Sequence, residues 1–363
     1  MGYVRFLLAS SVLLVHFNAP VALSGFGGAN SVEAFYFISG FLIATILTKK
    51  YSRYRDFYIN RFLRIFPMYW IVLVSSFLLV IFFSRKNVFY TNASHVNLDL
   101  IQTAFLSLSN VFILGSDLLV FLNVDSVGNI GFVGFKNSQV TETGFLLVSP
   151  IWSVSLELFF YLIAPLIMKR SNRIIILITL SLLFVRFASY LSGINDDPWT
   201  YRFFPFELPI FLLGVIVFRF SDSIQRRFRE NKIIKFIVHP LFFTFTFFAF
   251  GFYRSQVSSP RPLELFALLL LVGFVLIFSN NNEWSNSIGR FSYPIYIVHY
   301  PVAFFLSNYH DLFFSYFGNS TFFWILFQII VVLVFSYSLI LLTKPIDNIR
   351  DKLRSKSAID GLN

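Results

Sequence analysis

The chain has 363 residues, 56% of them hydrophobic and only 13% charged, with a mean hydropathy of +0.72. A soluble domain carries about 25% charge, so a soluble globular fold is excluded; the absence of cysteine excludes disulfides, Cys-ligated metals and a thiol nucleophile. The net charge of +11 does not call for nucleic acid, because Lys and Arg accumulate in the cytoplasmic loops of membrane proteins.

Runs of about 17–25 apolar residues suffice to cross a bilayer. In chain order they fall at 4–23, 32–48, 65–83, 150–168, 174–192, 203–218, 236–252, 263–279, 291–307 and 322–342. Runs such as 322–342 lack the in/out alternation of barrel strands, so backbone pairing inside lipid leaves helices. The expected fold is all-α: a polytopic membrane protein with about ten transmembrane helices. The first run has the outline of a signal peptide, with Arg5, an apolar stretch and a small-residue segment over 20–25. A polytopic chain needs no such signal, and an uncleaved first span is expected. The piece 98–122 is apolar but interrupted by Asn110, Gly115, Ser116 and Asp117; it reads as re-entrant or interfacial within the long loop 84–149, which also holds a Gly-rich piece at 128–134. With a cytoplasmic N-terminus, 22 of the 29 Lys and Arg fall inside and 6 outside. That asymmetry predicts both termini in the cytoplasm. No internal repeat is evident. Residues 1–343 form one membrane domain and 344–363 a short basic tail.

Ionisable groups inside spans are costly and mark function by default. Here they are Arg5, His16, Glu33, Glu157, Arg186, His239, Glu264 and His299. Arg5 and His16 are eleven residues apart, which closes three helical turns to within about 20°, with a rise of about 16 Å. One face then carries an arginine near the cytoplasmic surface and a histidine well into the membrane, a separation similar in scale to the pantetheine arm of coenzyme A. The arginine suits phosphates; a neutral imidazole suits proton abstraction from a hydroxyl or attack on a thioester. The alternative is a snorkelling arginine and a buried structural histidine. Glu33, at the start of the second span, either binds substrate or reaches water. Arg61 and Arg64, three apart, form an anion site or anchor the third span. Glu157 follows Trp152 early in the fourth span and either orients a histidine, binds substrate hydroxyls or pairs with Arg186. His299 sits in a Pro-broken polar run from Ser292 to Pro301 that suits a cavity wall. Glu264, His95, His239 and His310 read as structural or solvent-facing. No His-x-x-x-His or Glu-x-x-His spacing supports a metal site, and there is no P-loop or dinucleotide fingerprint. The sequons at Asn92 and Asn319 read as chance triplets.

These segments together resemble the acyltransferase-3 family of integral membrane acyltransferases over nearly the whole chain. Arg5 and His16 match its Arg-then-ten-residues-then-His signature. Ser31-Val32-Glu33-Ala34-Phe35-Tyr36-Phe37-Ile38-Ser39-Gly40-Phe41-Leu42 resembles its second-span motif, Arg61 to Tyr69 its Arg-x-x-Arg-Ile-x-Pro-x-Tyr motif, Trp152 to Tyr161 its Trp-Ser-x-Ser-x-Glu block, and Ser292 to Pro301 its late Ser-Tyr…His-x-Pro block. Ser31 replaces a usual glycine, and Leu158 and Phe159 replace a polar pair. The resemblance implies an O-acetyltransferase of the bacterial cytoplasmic (inner) membrane. Its donor would be acetyl-CoA or another acyl-CoA on the cytoplasmic side. Its acceptor would be a hydroxyl of a surface glycan such as lipopolysaccharide O-antigen, capsule or exopolysaccharide, or of a lipid-linked glycan. It implies His16 and Glu157 as catalytic, Arg5, Arg61 and Arg64 as the coenzyme A site, and Glu33, Trp152, Tyr293 and His299 as substrate-binding. Longer relatives carry a fused soluble hydrolase-like domain. The chain is too short for one, so direct acceptor access or a separate periplasmic acyl-relay partner is expected. The competing expectation is a glycolipid transporter, against which stands the lack of matching halves.

Overall fold

A computed structural model describes residues 1–49, 51, 53–83, 99–124, 130–132, 145–228, 231–257, 261–279, 282–317 and 320–360. The sequon at Asn92, His95, Asn319 of the second sequon and most of the Gly-rich piece lie outside the described residues. The described helices are, in chain order, α1 (Gly2–His16), α2 (Gly28–Lys49), α3 (Tyr54–Phe83), α4 (Leu100–Phe112), α5 (Ile151–Met168), α6 (Asn172–Leu191), α7 (Phe204–Phe228), α8 (Lys232–Ile237), α9 (Pro240–Gln256), α10 (Arg261–Phe278), α11 (Glu283–Gly289), α12 (Ser292–Ser307), α13 (His310–Phe317) and α14 (Thr321–Asp360). Short strands β1 (Leu122–Val124) and β2 (Ile130–Phe132) pair antiparallel, with Leu122 opposite Phe132. The fold is that of an all-α membrane protein with one small hairpin in its long loop. Among the described residues seven helical segments are long and apolar enough to cross a membrane: those built on α2, α3, α5, α6, α7, α10 and α14. The other three expected spans are shorter helices: α1, α9 and α12 have 15, 17 and 16 residues.

The chain divides into two compact units, residues 1–60 with 210–363, and residues 61–209. In the first unit α1 packs against α2, α11 and α12, α12 against α14, and α2 against α10. The crossing of α2 with α7 is backbone-close. A Cβ on Gly40 would collide with the Phe211 carbonyl, and one on Gly214 with the Phe37 carbonyl, which is how small residues let membrane helices approach.

The first span differs from its expected bounds. Its helix stops at His16 rather than running to residue 23. Asn18 takes a left-handed φ of 53°, and Pro20, which lacks an N–H, leads into a single 3₁₀ turn at Val21–Leu23. Fifteen residues rise only about 22 Å against a hydrocarbon core of about 30 Å, so α1 alone is too short to cross it. The chain beyond it is held by packing: Phe26 sits in a cage of Phe243, Phe247 and Phe250, and the Ser11 hydroxyl donates to the Ser24 carbonyl. The basic segment that begins at Lys344 is helical, because α14 continues through it to Asp360.

In the second unit the interrupted piece at 98–122 resolves into α4 and a 3₁₀ turn, Leu118–Phe121. Asp99 and Gln102 close a capping box at the start of α4. Asn110 is its anchor: the Tyr69 hydroxyl donates to the Asn110 carbonyl, Asn110 Nδ2 donates to the Phe145 carbonyl at 2.9 Å, and the Leu147 N–H donates to Oδ1 at 3.0 Å. Ser155 on α5 donates to Asp117 at 2.6 Å and accepts the Gly115 N–H at 3.0 Å. The residues that interrupt the apolar run are therefore its docking points.

Candidate active site

Helix α1 carries Arg5 and His16 on one continuous helix, so the face expected from their spacing exists. His16 lies at its C-terminal end, exposed, with Nδ1 2.9 Å from the Val12 carbonyl. A carbonyl only accepts, so Nδ1 carries the proton and Nε2 the lone pair. The His16 ring lies 4.9 Å, centroid to centroid, from that of His299 on α12, with Tyr300 edge-on at 5.9 Å. His299 is 0% exposed. Its Nδ1 donates to the Ile295 carbonyl at 3.2 Å, and its Nε2 is buried without a hydrogen-bond partner. Two residues 283 positions apart in sequence thus form an imidazole pair in one unit, each ring tied to its own helix by Nδ1. Tyr296, 6.0 Å from His299, and Tyr300 complete an aromatic surround that sequence reasoning did not single out. Tyr293 lies six residues before His299, about 120° round the helix, so it does not share the His299 face.

The second unit brings together Arg61, Arg64, Glu157 and Tyr161. Arg61 is 6% exposed, and its guanidinium carbon lies 5.9 Å from the Tyr161 ring. Both arginines are close enough to act electrostatically on the phenol, which donates its proton to Glu157 Oε1. Tyr161 follows Glu157 at i+4, the spacing of facing helical neighbours, and that spacing is the sequence signal that would have found it. Trp152 is buried, with Tyr201 against it at 5.4 Å and the Arg202 guanidinium over its face at 4.5 Å.

Two buried carboxylates have arginine partners. Arg186 pairs with Glu207 at 3.3 Å and donates to the carbonyls of Phe206 and Thr200 at 3.0 and 2.8 Å. Glu207 went unnoticed because it lies among apolar residues between two prolines. Glu33 does not reach water: it is 0% exposed and accepts from Arg261 Nη2 at 2.5 Å. Beside this pair in the first unit, Glu264 faces Arg254 at 3.4 Å and accepts from Asn30 Nδ2 at 2.9 Å. A buried carboxylate needs such a partner, and here the partners come from the start of α10 and the end of α9.

A family model described as an acyltransferase domain matches residues 1–341. A protein of Staphylococcus aureus (strain COL) named for O-acetyl transfer is 23% identical over 335 residues, covering 84% of the chain and 50% of that protein. YrhL of Bacillus subtilis (strain 168), named for peptidoglycan O-acetyl transfer, is 26% identical over 357 residues, covering 89% of the chain and 50% of that protein. Nodulation protein 10 of Rhizobium leguminosarum bv. viciae is 22% identical over 285 residues, covering 75% of the chain and 71% of that protein. The chain thus spans half the length of the first two relatives. No solved structure matches it.

Proposed function

The chain belongs to the acyltransferase-3 family, and we propose that it is a membrane O-acyltransferase that moves an acetyl or other acyl group from cytoplasmic acyl-CoA to a hydroxyl of an extracytoplasmic glycan. The observation that carries this is the imidazole pair of His16 and His299 at the far end of the helix that begins with Arg5. In this reading α1, α2, α3, α5, α6, α7, α9, α10, α12 and α14 make ten passes through a bacterial cytoplasmic membrane, with both termini in the cytoplasm. The split of 22 inside to 6 outside Lys and Arg supports that orientation.

Arg61 and Arg64 bind phosphate of the coenzyme A head at the inner surface, since guanidinium groups take such anions in a fixed geometry, and Arg5 near the start of α1 offers the same anion chemistry in its own unit. Glu157 and Tyr161 hold the arginine pair in place. Near the centre of the membrane, His16 Nε2 takes the proton of the acceptor hydroxyl as its oxygen attacks the thioester carbonyl. The carbon–sulfur bond breaks, the thiolate leaves with the bonding pair, and the imidazolium returns the proton to it. Attack by His16 on the thioester, followed by transfer from the acyl-imidazole, balances equally. In either course the ring that gains positive charge has the His299 imidazole 4.9 Å away as its neighbour. The names of the S. aureus and B. subtilis relatives support an O-linked acetyl group and a polysaccharide acceptor.

The test is acyl transfer in membrane vesicles supplied with labelled acetyl-CoA on the cytoplasmic side. Native protein should place label in glycan, and His16→Ala at matched expression should lose about 10²–10⁴-fold of that rate. Near-native transfer by the variant would remove His16 from the chemistry. Label that stays on the coenzyme in both samples would return the transport reading.

A further inference from the structure

We infer that the cradle at the start of α2, built by Asn30, Arg254, Arg261 and Glu264 with Glu33 behind Arg261, is an acceptor subsite that takes a neutral, hydroxyl-bearing sugar ring. The word acceptor rests on the acyl-transfer reading; the sugar-binding cradle does not.

A cavity of about 280 Å³ opens here, lined by Phe26, Gly27, Asn30, Arg254, Arg261 and Glu264 among others. This is the lower end of the range for ligand clefts, so it suits one ring rather than a polymer. Asn30 is only 4% exposed. Its Nδ2 donates to Glu264 Oε2 at 2.9 Å, which fixes the amide orientation, because a carboxylate cannot donate. The other amide atom, Oδ1, is therefore a buried acceptor, and it has no partner. A ligand O–H would satisfy it.

Charge decides what kind of ligand. Two guanidinium groups face two carboxylates, Arg261 with Glu33 at 2.5 Å and Arg254 with Glu264 at 3.4 Å. The formal charges cancel, so a free anion gains no net attraction and meets two carboxylates. What the wall offers is donors and acceptors side by side, the pattern that sugar hydroxyls, each donor and acceptor at once, can match. Phe26 adds an apolar surface. The backbone makes room for this: Gly27 has a φ of 80°, and any side chain there would strike the Arg254 guanidinium, which instead reaches the Gly25 carbonyl at 3.4 Å.

The cradle also lies against the end of α1. Gly28, in its lining, approaches Val15 so closely that a Cβ would sit 3.7 Å from the valine Cγ1, and Val15 immediately precedes His16.

The native chain has no cysteine, so Ala29→Cys, on the cavity lining, gives a single label site. Its reaction with a membrane-impermeant maleimide is timed with N,N′-diacetylchitobiose, with soluble peptidoglycan fragments and with digalacturonate. Saturable protection by a neutral saccharide, at least fivefold, stronger than by digalacturonate and abolished by adding Asn30→Leu, is expected. Protection absent for every saccharide overturns the subsite, whether or not the protein transfers acyl groups. Protection by digalacturonate alone overturns the neutral-ligand assignment. In transfer assays Asn30→Leu should raise the acceptor KM about tenfold, one hydrogen bond to a charged network, with kcat and the acyl-CoA KM unchanged. If that variant does not fold, the protection of Ala29→Cys alone still decides. Protection without any acyl transfer by native protein would leave the cradle standing and the acyltransferase reading fallen.

Discussion

The buried polar groups at the helix contacts of the second unit are paired, although its Ser76 hydroxyl is not, while two near the end of α1 in the other unit stand without partners. In residues 61–209, Arg186 meets Glu207, Tyr161 meets Glu157, Ser155 meets Asp117, and Asn110 is bonded through both ends of its amide. These groups hold helix to helix. In the other unit, around the end of α1, His299 Nε2 and Asn30 Oδ1 are buried and unpartnered. Leaving such an atom unsatisfied costs about 1–3 kcal/mol each. Buried hydroxyls without a partner also occur elsewhere, at Ser76 and Ser336 among the described residues, so what sets the end of α1 apart is an imidazole and an amide beside an exposed histidine, groups that a ligand O–H can engage.

Substitution can break that contrast most sharply at the histidines. After the His16→Ala loss of about 10²–10⁴-fold in transfer, the informative change is His299→Met, of similar volume. It removes a buried unsatisfied nitrogen, so the unfolding midpoint in detergent should rise, by an amount equivalent to about 1 kcal/mol. Transfer should nevertheless fall at least tenfold, with the acyl-CoA KM unchanged. A stabilised protein with full activity would make His299 plain core. The reverse is expected at Glu207→Leu, which takes the carboxylate from the half-buried Arg186 guanidinium and leaves it two carbonyls: stability should fall by about 1–3 kcal/mol, while transfer per folded molecule holds. Thermal unfolding and turnover measured on the same preparations check both signs. Arg61→Lys and Arg64→Lys keep charge but lose the planar fork, and each should raise the acyl-CoA KM about tenfold, roughly one charge-assisted hydrogen bond. An unchanged KM would leave them as membrane anchors.

Much of this was legible in the chain. Apolar runs located every long helix, because lipid allows no other backbone solution, and the eleven-residue spacing of Arg5 and His16 survives on α1 as one face. What sequence did not reveal is pairing at distance. His16 and His299 are 283 residues apart and meet only because α1 packs on α12. Glu33 looked water-facing because its partner, Arg261, lies 228 residues away at the start of α10. The early stop of α1 was missed for a local reason. The run 4–23 stays apolar through Pro20, and hydropathy does not register the left-handed turn at Asn18. Glu207 was passed over because one carboxylate among aromatic residues barely lowers a window average, although its buried partner Arg186 was noticed.

The smallest expected effect bears on Trp152, whose place in the family block suggests a sugar platform. In the structure both of its aspects are occupied within the second unit: Arg202 lies 4.5 Å above the ring, Tyr201 packs edge-on, and Arg202 is itself held by Asp197 at 2.8 Å. A ring so covered has little face left for a sugar. Its work is then to seat Arg202, an interaction of about 0.5–1 kcal/mol that phenylalanine retains in part. Trp152→Phe should therefore lower the unfolding midpoint slightly and leave the acceptor KM within about twofold, the factor that such an energy allows. A markedly larger rise in acceptor KM, with stability unchanged, would mean that Arg202 swings away when acceptor arrives. Residues 61–209 would then take part in substrate binding, and the pairing of Arg202 would be a functional contact as well as a structural one.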